Sequence, residues 1–453
     1  MGARDLTKSA LSLPWAISMF GVQQVANLVG TRPSQRGFSG AADAFDAVSD
    51  AAAEHLDGWM KQTYSISAGV QDAAVDLLML RPPQIDSGTL MRTAADMQSG
   101  LFDTVVRYGL PPVAWVDSFL VPRRDSTAVY QEFDNKRYII ALILRAHGTR
   151  VPGTDANEPL AAIVDRAATM ETFPRLWGVE GIGYGWADRA WERAGGVDPT
   201  GLLTDAFAAS VPPWSLTMLH AGIGMSFARK ILHEVEEAST IAIVRDAIAR
   251  FVRLCRNSSR PGYTGAAFES FGLATRTLYP KLVGLLDREI PDVEPALQDY
   301  FWHGVGRSMY LDPMNMLPSV NAPWRVIQRL NTEAPHPVAY RNALSGVAWA
   351  LTVVNMRQPF VMEAFLRHHA DLARANDAFV NGVASSLLMR YDTTRDDARI
   401  ASFIHHCPSN PTLASAWRSL ITAPCEDALR VTYGELSQTG ALEELFHYRS
   451  QGA

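Results

Sequence analysis

Cysteine is almost missing from this chain. Of 453 residues only Cys255, Cys407 and Cys425 are cysteines, far apart and in no C-x-x-C or C-x-x-C-H pair. Three scattered thiols exclude a disulfide framework, a thiolate metal site and haem attachment, and they fit a reducing, cytoplasmic compartment. A basic surplus is missing too. With 41 Lys and Arg against 47 Asp and Glu, the net charge is −6. That balance offers nothing to a phosphate backbone, so no nucleic-acid partner is expected. Long hydrophobic runs are absent: the most apolar stretch, SALSLPWAISMFGVQQVANLVG, is broken by Pro14, Gln23, Gln24 and Asn27 and has no A-x-A cleavage site. It makes a poor signal peptide or membrane span. No P-loop, no G-x-S-x-G and no G-x-G-x-x-G between a strand and a helix occurs, which removes the usual signatures of phosphoryl transfer, serine hydrolysis and dinucleotide binding.

What is present is a folded, apolar-rich protein, 47% hydrophobic and 19% charged, a composition that buries a core. Residues 1–38 read as an apolar arm, either docked on the protein itself or lying on an interface. Residues 39–147 read as an amphipathic helical region. From Ser39 one stripe repeats every three or four residues through Phe45, Val48, Ala52, Leu56, Trp59, Thr63, Ile66, Val70, Ala74 and Leu77, the period of a helix with one buried face. A second helical stretch runs from Ser87 to Gly109 and can pair with the first as a hairpin. The seam needs a partner: the second stretch, a second protomer in a homo-oligomer, or an apolar surface. The turn-rich segment AHGTRVPGTDANEP, 146–159, marks the boundary to a repeat domain over 158–453.

That domain carries the strongest signal. A glycine-punctuated apolar stretch returns six times: VEGIGYGWA, HAGIGMSFA, ESFGLATRT, HGVGRSMYL, SGVAWALTV and NGVASSLLM. With Gly181, Gly222, Ser270, Gly304, Gly346 and Gly382 equivalent, the steps are 41, 48, 34, 42 and 36 residues. Periods of this size mark stacked supersecondary units. Strand alternation is poor and the segments between the stretches have helical pattern, so each unit has room for roughly two helices. The fold class is therefore all-α: an N-terminal helical hairpin followed by six helical repeats, three plus three, either a curved stack or a closed α/α toroid.

Glycine inside a helix costs roughly 1 kcal/mol against alanine, so the missing side chain must be used. Either the small faces let neighbouring helices pack closely, or they keep a groove open for an apolar ligand. The residue just before each glycine stretch is also notable: Glu180, Ala221 (after His220), Glu269, His303, Ser345 and Asn381. If these are equivalent helix starts around one axis, their side chains converge. Carboxylates with imidazoles suit acid–base chemistry or a divalent iron, manganese or zinc ion, and Arg307, one turn after His303, can hold an anionic neighbour. The plainer role is capping of free N–H groups at helix starts. His303, Glu180, Glu269 and Arg307 are the catalytic candidates. Elsewhere, His368–His369 and His405–His406 read as surface residues, and DTTRDDA, 392–398, as a turn into a helix with acids at its start.

The stretches GVEGIGYG, LHAGIGMSFA, RPGYTGAAFESFGLA, FWHGVGRSMYLDP, ALSGVAWAL and FVNGVASSLLMRYDTTRDDA resemble the family known as domain of unknown function 1702, over roughly residues 165–430. That family accompanies the bacterial biosynthesis of enediynes and other polyketides. The resemblance implies a biosynthetic setting and an apolar polyketide- or polyene-like small molecule, acted on or shielded by the repeat domain. The N-terminal third resembles phasins, helical proteins that coat polyester granules. That likeness implies the alternative: a granule- or membrane-associated structural protein, peripheral to its surface and without catalysis.

Overall fold

A computed structural model describes residues 126–148 and 158–449, apart from 196, 206–207, 239, 313–321 and 396. The N-terminal arm and the Phe45–Leu77 and Ser87–Gly109 helices lie outside the described residues. Within them the protein is all-α. The elements are α1 (Ser126–Gly148), α2 (Leu160–Ala168), α3 (Thr172–Ala194), α4 (Leu216–Glu236), α5 (Ile241–Ser258), α6 (Thr264–Leu278), α7 (Val283–Val293), α8 (Leu297–Leu311), α9 (Ala322–Glu333), α10 (Pro337–Asn355), α11 (Pro359–Ala375), α12 (Asp377–Thr393) and α13 (Ala398–Ile404). Three short helices follow, α14 (Pro411–Trp417), α15 (Ala423–Asp427) and α16 (Tyr433–Thr439), joined end to end by π turns at Arg418–Thr422 and Ala428–Thr432. No described helix is long and apolar enough to cross a membrane.

The six glycine stretches lie in α3, α4, α6, α8, α10 and α12, each packed on the next. Between them α5, α7, α9 and α11 turn one apolar face inward. On α5 that face is Val244, Ile248, Phe251, Val252 and Cys255, all buried at helical spacing. Each large apolar side chain so buried contributes roughly 1.5–3 kcal/mol. Thr240 fixes the start of α5 by accepting from Ile243 N, and His336 fixes α10 by accepting from Ala339 N.

The glycines are spent on close helix contact. A Cβ at Gly222 would overlap the carbonyl oxygen of Glu180; at Gly304, that of Glu269; at Gly346, that of His303; at Gly382, that of Ser345. Two residues further on, the second glycine meets the following helix in the same way: Gly183 on Leu219, Gly224 on Ala267, Gly272 on Phe301 and Gly306 on Ala343. At these eight positions the small face is closed by a neighbouring backbone, the close-packing alternative, and no glycine-lined groove opens there. The repeat with serine in place of glycine conforms by other means: Ser270 Oγ donates to the Ala221 carbonyl at 2.8 Å.

Contacts between α6 and α8 climb both helices together, from Phe268–Tyr300 to Thr277–Ser308. Those between α8 and α10 climb likewise, from Asp299–Asn342 to Tyr310–Asn355. These neighbours therefore run parallel. The ends of the row also meet other elements. In α1, Tyr138 stacks on Phe173 of α3, and Asn135 donates to Asn355 of α10 at 3.0 Å. Beside it Lys136, buried with Glu132 at 3.2 Å, lies over the Tyr310 ring. Arg390 and Asp392 near the end of α12 bond the Thr172 carbonyl and the Thr217 hydroxyl, at the starts of α3 and α4. Last, the segment Leu442–Phe446 crosses the glycine helices: Glu443 N donates to the Gly262 carbonyl at 2.8 Å, and Phe446 packs on Trp349.

Candidate functional site

The structure brings the four sequence candidates together. Glu180 comes from α3, Glu269 from α6, and His303 and Arg307 from successive turns of α8. Their neighbourhood is set by the glycine contacts, because the backbones of Glu180, Glu269 and His303 are the surfaces on which the next helices rest. His303 Nδ1 lies 3.2 Å from Glu269 Oε1 and Arg307 Nη1 lies 2.7 Å from Glu269 Oε2. Arg307 Nη2 is 4.0 Å from Glu180 Oε1. All four side chains are buried, Glu269 and His303 completely. The guanidinium of Arg307 also lies 4.3 Å from the ring of Trp349, which meets His303 edge to face.

Capping does not explain these residues. Each sits inside its helix: α3 begins at Thr172, α6 at Thr264 and α8 at Leu297. The expectation of helix starts at the glycine stretches is corrected accordingly. The helices begin earlier, where N–H groups are free, and the glycines lie in their middles. The residues at the matching place in the other glycine stretches do not join the cluster. Ser345 Oγ bonds Asn381 at 3.1 Å. His220 faces away from it, accepting from Arg260 N at Nε2 and bonding the Leu216 carbonyl through Nδ1, with its ring stacked on Tyr263.

The electrostatics follow from burial. Glu180 is pushed up to about 7, first by desolvation and then by the Glu269 charge, with Arg307 opposing. Burial lowers His303 below its ordinary value against the pull of its Glu269 hydrogen bond. A neutral imidazole that donates from Nδ1 to a carboxylate keeps its lone pair on Nε2. That atom, Glu180 Oε2, Arg307 Nε and Trp349 Nε1 are all buried with no hydrogen-bond partner among the described residues. Among those residues no group of three or more His, Cys, Asp or Glu is placed to hold a metal ion. The cation that lies beside the two carboxylates is Arg307.

Trp349 escaped the sequence reading. Its signal was present: it follows Ser345 by four residues, the spacing by which Arg307 follows His303. His369 and His406 also differ from the surface reading, being packed on the rings of Phe365 and Trp417. Asp397 does open a helix, accepting from Arg399 N at the start of α13. Comparison with family models, with curated proteins and with solved structures found no match.

Proposed function

We propose that this chain is a biosynthetic enzyme that moves protons on an apolar, polyketide- or polyene-like substrate, with Glu180 and His303 as the acid–base pair. One observation carries the reading: four buried polar atoms of a single cluster, Glu180 Oε2, His303 Nε2, Arg307 Nε and Trp349 Nε1, lack partners among the described residues. Each orphan costs roughly 1–3 kcal/mol. A cluster kept only for packing gains nothing from them, whereas a reacting group needs a free lone pair and a free proton. A carboxyl near 7 is a proton donor at neutral pH, and an imidazole held neutral is an acceptor. Glu269 positions His303 and Arg307, and Arg307 in turn lies beside Glu180. The apolar substrate class rests on the resemblance of the glycine stretches to domain of unknown function 1702 and on the apolar helices around the centre.

Native mass spectrometry of freshly purified protein tests this. A retained apolar small molecule is expected in the wild type, chemically changed on incubation, and retained unchanged in Glu180→Gln and His303→Ala variants that keep their helical content. A wild type that neither retains nor changes an apolar small molecule would reduce the centre to a packing feature.

A further inference from the structure

Away from the buried centre, a cleft of 590 Å³ opens where the starts of α3, α4 and α6 meet the end of α12. Its walls include Arg175, Trp214, Tyr263, Asp392 and Arg395. The volume falls in the range of small-molecule sites. Among the described residues neither of its two arginines has a carboxylate within ion-pair distance, although the charge of Asp392 still reaches Arg395. Arg175 lies on the face of Trp214 at 5.1 Å, makes one long bond of 3.4 Å to the Ala168 carbonyl, and leaves its buried Nε without a partner among the described residues. Arg395, exposed at the rim, donates to the hydroxyl of Tyr433 at 2.8 Å.

The acid of the cleft is already engaged. Asp392 accepts from Tyr433 at 2.8 Å and from Thr217 at 3.2 Å. The carbonyl end of α12 is likewise folded in on itself: Thr393 and Thr394 both donate to the Arg390 carbonyl, at 3.1 and 2.8 Å. By contrast α3, in whose first turn Arg175 stands, has no cap bond from its N-cap Glu171, and Asp397 beside Thr172 is taken up by Arg390, so the helix dipole still adds positive potential. The rings are held for stacking. Tyr263 is backed by His220, and that imidazole is fixed by bonds at both nitrogens.

We infer that this cleft binds an oxyanion-bearing ligand with a planar apolar body, its phosphate or carboxylate head between Arg175 and Arg395 and its body against Trp214 and Tyr263. Guanidinium forks match both kinds of head, and aromatic walls accept a planar body. This site is independent of the acid–base reading of the buried centre.

Isothermal titration of the full chain with 1-naphthyl phosphate, 1-naphthoate, neutral 1-naphthol and inorganic phosphate tests the inference. Saturable binding of at least one of the two anionic naphthyl probes is expected, with naphthol binding far more weakly. The stronger of the two names the head, and binding of inorganic phosphate with neither naphthyl anion would overturn the planar body. Arg175→Ala and Arg395→Ala should each weaken that binding by about tenfold or more. Arg175→Lys should restore part of the loss if the first variant perturbs the fold, which its melting temperature reports. Absence of saturable binding by every anionic probe would overturn the inference. So would binding that neither arginine substitution weakens, or naphthol binding as tightly as the anions.

Discussion

Glu180 stops 4.0 Å short of the guanidinium of Arg307, while Glu269 meets the same group at 2.7 Å. One cation thus serves two buried carboxyls unequally, and the less well served one holds its proton. In the folded state Glu180 titrates at about 7, against 4.5 when unperturbed. Below 4.5 both states are protonated and the site costs nothing. As pH rises towards 7 the unfolded chain releases a proton that the folded chain retains, so stability falls, and the full penalty stands above 7. It is on the order of 3 kcal/mol. Glu180→Gln should therefore gain stability over the wild type progressively between pH 5 and 7, measured by denaturant midpoints. A gap that stays constant with pH would contradict the assignment.

Arg307 is the counterweight of this arrangement. Arg307→Ala leaves Glu269 and Glu180 buried without their cation and should cost roughly 3–5 kcal/mol. Adding Glu269→Gln should recover part of the loss, because the second change removes the charge that was stranded. A double-mutant cycle that shows simple additivity would mean the pair is not energetically coupled.

His220 works in the opposite pH direction. Desolvation lowers it from 6.5 to about 4, so the folded state prefers neutral imidazole. Its contribution is fully present above 6.5, declines as pH falls through the window, and is gone below about 4. Measured against a His220→Gln variant, which shares the opposite effect of Glu180, the wild type should lose stability progressively as pH falls across that interval.

The glycines give an internal control. Gly304→Ala would overlap the Glu269 carbonyl and the Leu273 amide, whereas Gly434 has nothing within 4 Å of an added Cβ. Overpacking against a backbone costs typically 1–3 kcal/mol, while an unobstructed helical Gly→Ala gains up to about 1 kcal/mol. Thermal melts should show Gly304→Ala falling and Gly434→Ala holding or rising. Equal behaviour would deny the close contact.

How much of this could be read beforehand depends on the kind of signal. The glycine period was legible because a helix–helix approach this close accepts no side chain, so the requirement is written into residue type. The same register placed Glu180, Glu269 and His303 together. Helix starts were not legible, for a physical reason. Glu171, Ser215 and Ala296, at the starts of α3, α4 and α8, make no side-chain cap bond, so nothing in the composition marks where those helices begin. The second cleft was equally hidden. Arg175, Trp214, Tyr263 and Arg395 come from three helix beginnings and the second residue past one helix end, and only tertiary packing gives them a common wall.

One consequence of the glycine-on-carbonyl contact concerns what substitution can explore. The surface each glycine rests on is main chain, and every amino acid presents the same carbonyl oxygen. At the supporting position the side chain points elsewhere, and it is Glu180, Glu269, His303 or Ser345 in turn. Chemistry and architecture are thus carried by different atoms of one residue. The helices fit together by a rule blind to side-chain identity, which leaves the lettering of the interior free to vary while the frame that displays it stays the same.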